Sequence, residues 1–133
     1  MLVRDVMTSA VLTVGPTHTI RQVARAMRAR HVGAAVVHDP GADGPGILTE
    51  RDVLECVAAG QDPDIELAAD HLTPEAVVGT PEWDLDRAAS AMLSGNFRHL
   101  VICADDDVVG VLSVRDIVKA WSTREGAREG ALE

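Results

Sequence analysis

The feature that most constrains the fold of this chain is an internal duplication. When the sequence is laid over itself so that Asp5 meets Asp70, the alignment continues as far as Val37, which meets Ile102. The identical residues in this stretch are Asp5, Thr8, Pro16, Ala24, Ala26, Met27 and Val36. After a slip of one residue, Gly46, Leu48, Arg51 and Asp52 meet Gly110, Leu112, Arg115 and Asp116. Self-similarity of this kind predicts two copies of one structural unit.

Each copy predicts the element order β-α-β-β-α. In the first copy, the extended stretch Leu12–Val14 leads to a helix with apolar residues at the spacing of one buried face. These residues are Ile20, Val23, Ala24 and Met27, and the helix is capped by Thr19 with Gln22 in a capping-box spacing. The apolar run Ala34–Val37 predicts a buried strand. A second strand at Gly46–Leu48 leads into a helix from about Glu50 to about Ala59.

The second copy repeats this order. Its predicted strands are Ala76–Val78, Leu100–Cys103 and Val108–Leu112, and its predicted helices begin after Asp84 and at Val114, the latter ending near Trp121. We therefore expect an α+β fold of two βαββα repeats. The boundaries are residues 1–60 for repeat 1, 61–68 for a linker, 69–121 for repeat 2, and 122–133 for a tail that we expect to fray.

Charge and composition exclude several classes of protein. The formal net charge is −9, and the only aromatic residues are Trp83, Phe97 and Trp121, so the chain lacks both a basic face and stacking groups for nucleic acid. Arg4 and Asp5 interrupt the amino terminus, and no apolar run approaches the roughly 20 residues of a membrane span. With two cysteines far apart in sequence, we expect a cytoplasmic protein that binds neither nucleic acid nor membrane.

The segments VRDVMT, TVGP and VGTP, and above all GILTERD and GVLSVRD, carry a resemblance to the CBS domain family from about Val3 to Trp121. In GILTERD and GVLSVRD, a glycine, two apolar residues, Ser or Thr, two variable residues and Asp stand where a strand enters a helix. The resemblance implies a stand-alone tandem pair, or Bateman module, whose two repeats pack sheet to sheet about a pseudo-twofold axis. It also implies ligand clefts between the repeats, homodimers, and regulation by AMP, ADP, ATP or S-adenosylmethionine.

Two acidic positions are the centre of the expected site. The resemblance implies that Asp52 and Asp116 accept hydrogen bonds from ribose hydroxyls, with Thr49 and Ser113 near the sugar or phosphate. A carboxylate can accept two such bonds at once, and the free N–H groups of a helix start attract phosphate. The same Ser/Thr-x-x-Asp spacing is also that of a helix cap, so a purely structural role stays open.

The two copies differ in their basic residues. Before the buried strand, copy two has Arg98 and His99, which can meet phosphate, whereas copy one has Gly33 and Ala34. The two clefts should therefore differ, with a phosphorylated nucleotide favouring the second. Arg51 and Arg115 face either phosphate or solvent. The resemblance further implies that backbone groups hydrogen-bond to adenine at four positions: Val14, Gly15, Val78 and Gly79.

We expect no catalytic residues, metal site or cofactor. No nucleophile elbow or phosphate-binding loop is present, and the remaining histidines (His18, His31, His38 and His71) form no tight metal-ligand spacing. The leading hypothesis is a non-enzymatic sensor whose ligand shifts a conformational population and whose signal reaches an unidentified partner protein. The alternative is a dimerisation and protein-docking module with vestigial nucleotide clefts.

Overall fold

A computed structural model describes the backbone of residues 1–132 and the side chains of residues 1–123. The strands and helices are β1 (Thr13–Val14), α1 (Ile20–Arg30), β2 (Ala34–Val37), β3 (Gly46–Thr49), α2 (Glu50–Ala58), β4 (Val78–Gly79), α3 (Leu85–Gly95), β5 (His99–Ala104), β6 (Asp107–Ser113) and α4 (Val114–Leu132). The predicted βαββα order of both copies is confirmed, and the fold is α+β. Short 3₁₀ turns at Val3–Asp5 and Ala68–Asp70, which the sequence pattern did not predict, precede the two copies.

Each copy forms its own three-stranded sheet. In the first sheet β2 lies in the centre, parallel to β1 and antiparallel to β3. The second sheet repeats this arrangement, with β5 parallel to β4 and antiparallel to β6. The central strands are the apolar runs of the sequence, because a strand with neighbours on both sides and helices on one face is the most buried.

The helix starts follow the predicted chemistry. Thr19 caps α1: its hydroxyl accepts from the Gln22 N–H at 3.2 Å, and its own N–H donates to the Gln22 side chain at 2.9 Å. Asp84 caps α3 by accepting from the Asp86 N–H at 2.9 Å. Several strand ends shift by one residue, and two boundaries differ from the sequence prediction by more than that.

The first difference lies at β4, which begins at Val78 rather than at Ala76. Glu75 has a left-handed backbone (φ 47°), and the Ala76 N–H donates to the Pro45 carbonyl, so the chain is still turning there. The second lies at α4, which takes in most of the predicted tail. That segment is rich in Glu, Arg and Ala, which are good helix formers, and contains no proline.

The compact units do not coincide with the sequence repeats. The first unit is Ala10–Val77, and the second consists of Met1–Ser9 together with the chain from Val78 onward. The first unit therefore includes the segment 61–68 that was predicted as a linker. Residues 1–9, assigned by sequence to repeat 1, belong structurally with repeat 2.

Backbone hydrogen bonds explain why the compact units differ from the sequence repeats. Thr8 pairs with Val111 through two bonds of 2.9 and 3.0 Å, and Thr73 pairs with Ile47 in the same way. Each sheet thus gains a short additional partner at its edge. Thr73, from the start of the second repeat, pairs with β3, and Thr8, from the start of the first repeat, pairs with β6. The edge groups of β3 and β6 would otherwise lack backbone partners.

Each unit has its own hydrophobic core. The core of the first unit is formed by α1, the sheet and α2 and includes Ile20, Val23, Met27, Leu48 and Cys56. The core of the second unit includes Val3, Leu85, Met92, Leu100, Leu112 and Ile117. Val3 is fully buried there, although it is distant in sequence from the rest of that core. Within the described chain, no helix has the length and apolar character needed to cross a bilayer.

Candidate functional site

The candidate site in each unit is the junction where the last strand runs directly into a helix. We call Thr49 with Asp52 the first cap, and Ser113 with Asp116 the second cap. At the first cap, the Oδ2 atom of Asp52 accepts from the Thr49 N–H at 2.8 Å and from the Thr49 hydroxyl at 3.2 Å. Both side chains are half-buried.

The second cap is a reciprocal capping box. The Ser113 N–H donates to Oδ2 of Asp116 at 3.0 Å, and the Asp116 N–H donates to the Ser113 hydroxyl oxygen at 3.0 Å. The helix-cap role that the spacing left open is therefore present in both copies. The Ser113 hydroxyl accepts this bond and keeps its own proton for another acceptor.

Capping uses only half of each carboxylate. In the part of the chain that the structure describes, no group donates to the Oδ1 atom of Asp52 or of Asp116. One oxygen thus fixes the start of the helix, while the other is able to accept hydrogen bonds from a vicinal diol. The cap role and the ligand role are compatible.

The two carboxylates differ in their surroundings. Burial raises the pKa of Asp52, the hydrogen bonds from Thr49 oppose that rise, the nearby Glu55 carboxylate adds to it, and His71 acts in the opposite direction. His71 itself lies 2.9 Å from a carboxylate oxygen of Glu66. The first cap therefore lies in an environment with several acidic groups.

Basic residues gather at the second cap. The Val114 N–H donates to the Arg98 carbonyl at 2.9 Å, and His99 pairs with Ser113 in the sheet register, so both predicted basic residues adjoin the cap. Arg98 and Arg115 are exposed, and neither forms an ion pair with any described residue.

The matching place in the first unit has no cation. There the Glu50 N–H donates to the Gly33 carbonyl at 3.0 Å, and Ala34 pairs with Thr49. Gly33 and Ala34 therefore occupy the positions of Arg98 and His99, as the sequence alignment predicted. Arg51 is exposed and without an ion pair among the described residues, like its counterpart in the second unit.

The four residues predicted to bind adenine lie at β1 and β4: Val14 is in β1, Gly15 directly follows it, and Val78 and Gly79 form β4. Val14 and Gly79 are on β1 and β4, which are separated from β3 and β6 by the central strand. Their partners Val37 and Ile102 are equivalent, so the structure matches Val14 with Gly79, as the alignment of Asp5 with Asp70 predicted.

The polar groups at these positions are already engaged in the first unit. The Gly15 N–H donates to Nδ1 of His18 at 2.8 Å, and the Val14 carbonyl accepts from the His38 N–H at 2.9 Å. In the second unit, a Cβ atom on Gly79 would lie 3.0 Å from Leu100 and 3.1 Å from Trp83, so this glycine allows close core packing. The structure thus brings Arg98, His99, Ser113, Arg115 and Asp116 together but leaves Val78 and Gly79 apart from them.

The structure gives a reason for the aligned glycines Gly46 and Gly110, which lie where Thr73 and Thr8 pair with β3 and β6. A Cβ atom on Gly110 would lie 2.6 Å from Sδ of Met7 and 3.1 Å from the Thr8 carbonyl oxygen. Sequence analysis overlooked one pair of residues near the caps. Glu55 follows Asp52 by three residues on α2, and Lys119 follows Asp116 by three residues on α4. Extending the alignment past Asp52 and Asp116 would have exposed this reversal of charge. No three metal-binding side chains come together in the described part of the chain.

Comparison with known proteins identifies relatives along nearly the whole chain. A family model described as CBS domain matches residues 3–59 and again residues 68–123. The CBS domain-containing protein YhcV of Bacillus subtilis (strain 168) is 32% identical over 126 residues, covering 94% of this chain and 89% of YhcV.

Solved structures agree with this match. The CBS-domain containing protein ATU1752 from Agrobacterium tumefaciens has a TM-score of 0.80 and 30% identity, covering 90% of this chain and 92% of that one. The CBS domain protein PAE2072 from Pyrobaculum aerophilum, complexed with AMP, has a TM-score of 0.79 and 27% identity, covering 92% and 99%.

Proposed function

The chain belongs to the CBS domain family as a tandem pair, and on that premise we propose that it is a regulatory, non-enzymatic module that binds an adenosine-containing nucleotide. The expected ligands are AMP, ADP, ATP or S-adenosylmethionine. One observation carries this proposal. In each cap carboxylate, Oδ2 accepts the hydrogen bond that caps the helix, and Oδ1 has no hydrogen-bond partner within the described residues. The similarity to PAE2072, which is complexed with AMP, supports the adenosine class.

At the second cap, each group has a role that its chemistry fits. Oδ1 of Asp116 accepts from the ribose hydroxyls, and the Ser113 hydroxyl donates to ligand oxygen. Arg98 and Arg115 carry exposed guanidinium groups that form two parallel hydrogen bonds with phosphate, and His99 lies beside them at the start of β5. The start of α4 adds the partial positive charge of a helix N-terminus.

Binding of AMP to an Asp116→Ala variant, measured by isothermal titration calorimetry, tests this assignment. We expect affinity to fall at least about tenfold, since a carboxylate that accepts two hydrogen bonds is lost. Asp84→Ala is the matched control, because Asp84 is also an acidic helix cap in the second unit but begins a different helix, α3. Equal affinity in both variants, or no binding of AMP, ATP or S-adenosylmethionine by the native chain at millimolar concentration, contradicts the proposal.

We further propose that the chain acts in the cytoplasm as a homodimer and passes its signal to a partner protein. Support for association comes from α4, where Val114, Val118 and Trp121 recur at i, i+4 and i+7 and remain exposed, Trp121 at 40%. Trp121→Glu should therefore reduce the molar mass measured by light scattering from dimer to monomer. Leu93→Glu on α3, where Leu93 is 83% exposed and stands apart from this series, should leave the mass unchanged.

The same exposed residues favour the second candidate, a docking module whose nucleotide sites are vestigial. Under that function Asp52→Ala and Asp116→Ala each weaken only a helix cap, by about 1 kcal/mol, and no adenosine compound binds. The calorimetric titration separates the two functions directly.

A further inference from the structure

The two caps have opposite charge. Around the first cap the ionisable side chains of the helix are Glu50, Arg51, Asp52 and Glu55, three carboxylates and one guanidinium. At the second cap the helix carries Arg115, Asp116 and Lys119, and Arg98, which directly precedes β5, brings the total to three cations and one carboxylate. The aspartate and the arginine are common to both, so the reversal comes from the other positions.

The residue three places after each cap aspartate is central to this reversal. Side chains separated by three residues are neighbours on a helix and lean towards its amino end, so Glu55 and Lys119 extend towards their caps. At the first cap, burial is the main cause that raises the pKa of Asp52, and the nearby charge of Glu55 adds to the rise. Lys119 is exposed, and among the described residues it has no ion-pair partner that would neutralise it.

The first cap has one guanidinium, that of Arg51, against three carboxylates. His71 acts on Asp52, but its Nε2 atom also lies 2.9 Å from a carboxylate oxygen of Glu66. Gly33 stands where Arg98 stands in the second unit. A phosphate placed at the first cap would therefore meet three carboxylates and one guanidinium, whereas at the second cap it would meet three cations and one carboxylate.

We propose that the two caps take different ligand classes, with Lys119 and Glu55 as the charge-selecting residues. The second cap takes a nucleotide that bears phosphate, and the first takes a nucleoside without phosphate, neutral or cationic. This inference rests on the proposed function, because it assigns ligand classes to the same caps. Its consequence is that one chain responds to the ratio of a phosphorylated and an unphosphorylated adenosine compound rather than to either alone.

The experiment counts bound AMP and adenosine per chain by native mass spectrometry and measures both affinities by calorimetry. For the native chain we expect one AMP but two adenosines. Lys119→Glu should weaken AMP binding about tenfold while adenosine affinity stays within about twofold, since only AMP carries phosphate. Glu55→Lys should admit a second AMP.

Matched controls carry the same charge changes at exposed positions in other elements. Arg25→Glu on α1 and Asp43→Lys in the β2–β3 turn should leave both ligands unaffected. Raising the salt concentration should weaken AMP binding to the native chain more than to Lys119→Glu.

The outcomes separate this inference from the proposed function. Two equivalent AMP sites in the native chain, or equal loss of AMP and adenosine in Lys119→Glu, overturns the charge selection while nucleotide binding stands. Absence of binding by either probe to the native chain overturns both. Circular dichroism of each variant distinguishes lost affinity from lost structure.

Discussion

Replacing Val3 by Ala should destabilise the second unit, although sequence places Val3 in repeat 1. Val3 has 0% exposure, packs in the core of the second unit, and donates its N–H to the Trp83 carbonyl at 2.9 Å. The substitution removes two buried carbon atoms, worth about 1.6 kcal/mol of transfer free energy. A cavity that the fold only partly closes adds to this, so we expect a loss of about 2–3 kcal/mol.

Hydrogen exchange read by mass spectrometry locates the damage. In Val3→Ala, peptides from residues 78–121 should exchange faster while those from 10–77 keep their protection. Val23→Ala is the matched control, since Val23 also has 0% exposure but lies in the first unit, and it should give the reverse pattern. Urea unfolding followed by tryptophan fluorescence gives the free energy, because Trp83 and Trp121 both lie in the second unit. Faster exchange within 10–77 in Val3→Ala would refute the assignment of residues 1–9.

Three further substitutions probe local features, each measured by urea unfolding. Gly110→Ala should cost about 1–2 kcal/mol, because the added methyl group lies 3.1 Å from the Thr8 carbonyl oxygen; Gly44→Ala, with nothing within 4 Å, should be nearly neutral. His31→Gly should gain about 0.5–1 kcal/mol by relieving a left-handed backbone (φ 55°). Burial raises the pKa of Asp52, so the native state holds that proton more tightly than the unfolded chain and loses stability as pH rises from about 3.8 through the raised value. Asp52→Asn should lack this fall, and identical pH slopes for the two proteins would contradict it.

The elements with local signals were predictable from sequence. Ile20, Val23 and Met27 repeat at helical spacing because one face of α1 must be buried, and the structure buries all three. The run Ala34–Val37 is a central strand, with every residue buried. In both cases the pattern and its physical cause lie within a few residues.

Non-local pairing was not predictable in this way. Nothing near Thr8 indicates that it pairs with Val111, since the requirement lies at the distant edge of β6.

The candidate site was likewise predictable from sequence in its local features but not in its three-dimensional contacts. The spacing of Ser113 and Asp116 predicted a cap or a ligand group, and the structure shows a cap that leaves one carboxylate oxygen available. The correspondence of Arg98 with Gly33 was predicted from the aligned copies, and the hydrogen bonds from Val114 and Glu50 to their carbonyls confirm it. The charge reversal between Glu55 and Lys119 is visible in the aligned sequence, but its relevance to the caps needed the helix geometry, because that geometry makes a residue three places away a neighbour.

Because Met1–Ser9 packs with the second repeat, the order of synthesis affects when each unit can fold. This segment is synthesised well before its strand partner Val111, whereas Ala10–Val77 forms its compact unit from one continuous stretch of chain. The first unit can therefore fold while the nascent chain is still growing. The buried valine of the leading segment must wait in solvent until the other repeat is complete, which makes that interval the time when the chain is most exposed to chaperones and to aggregation.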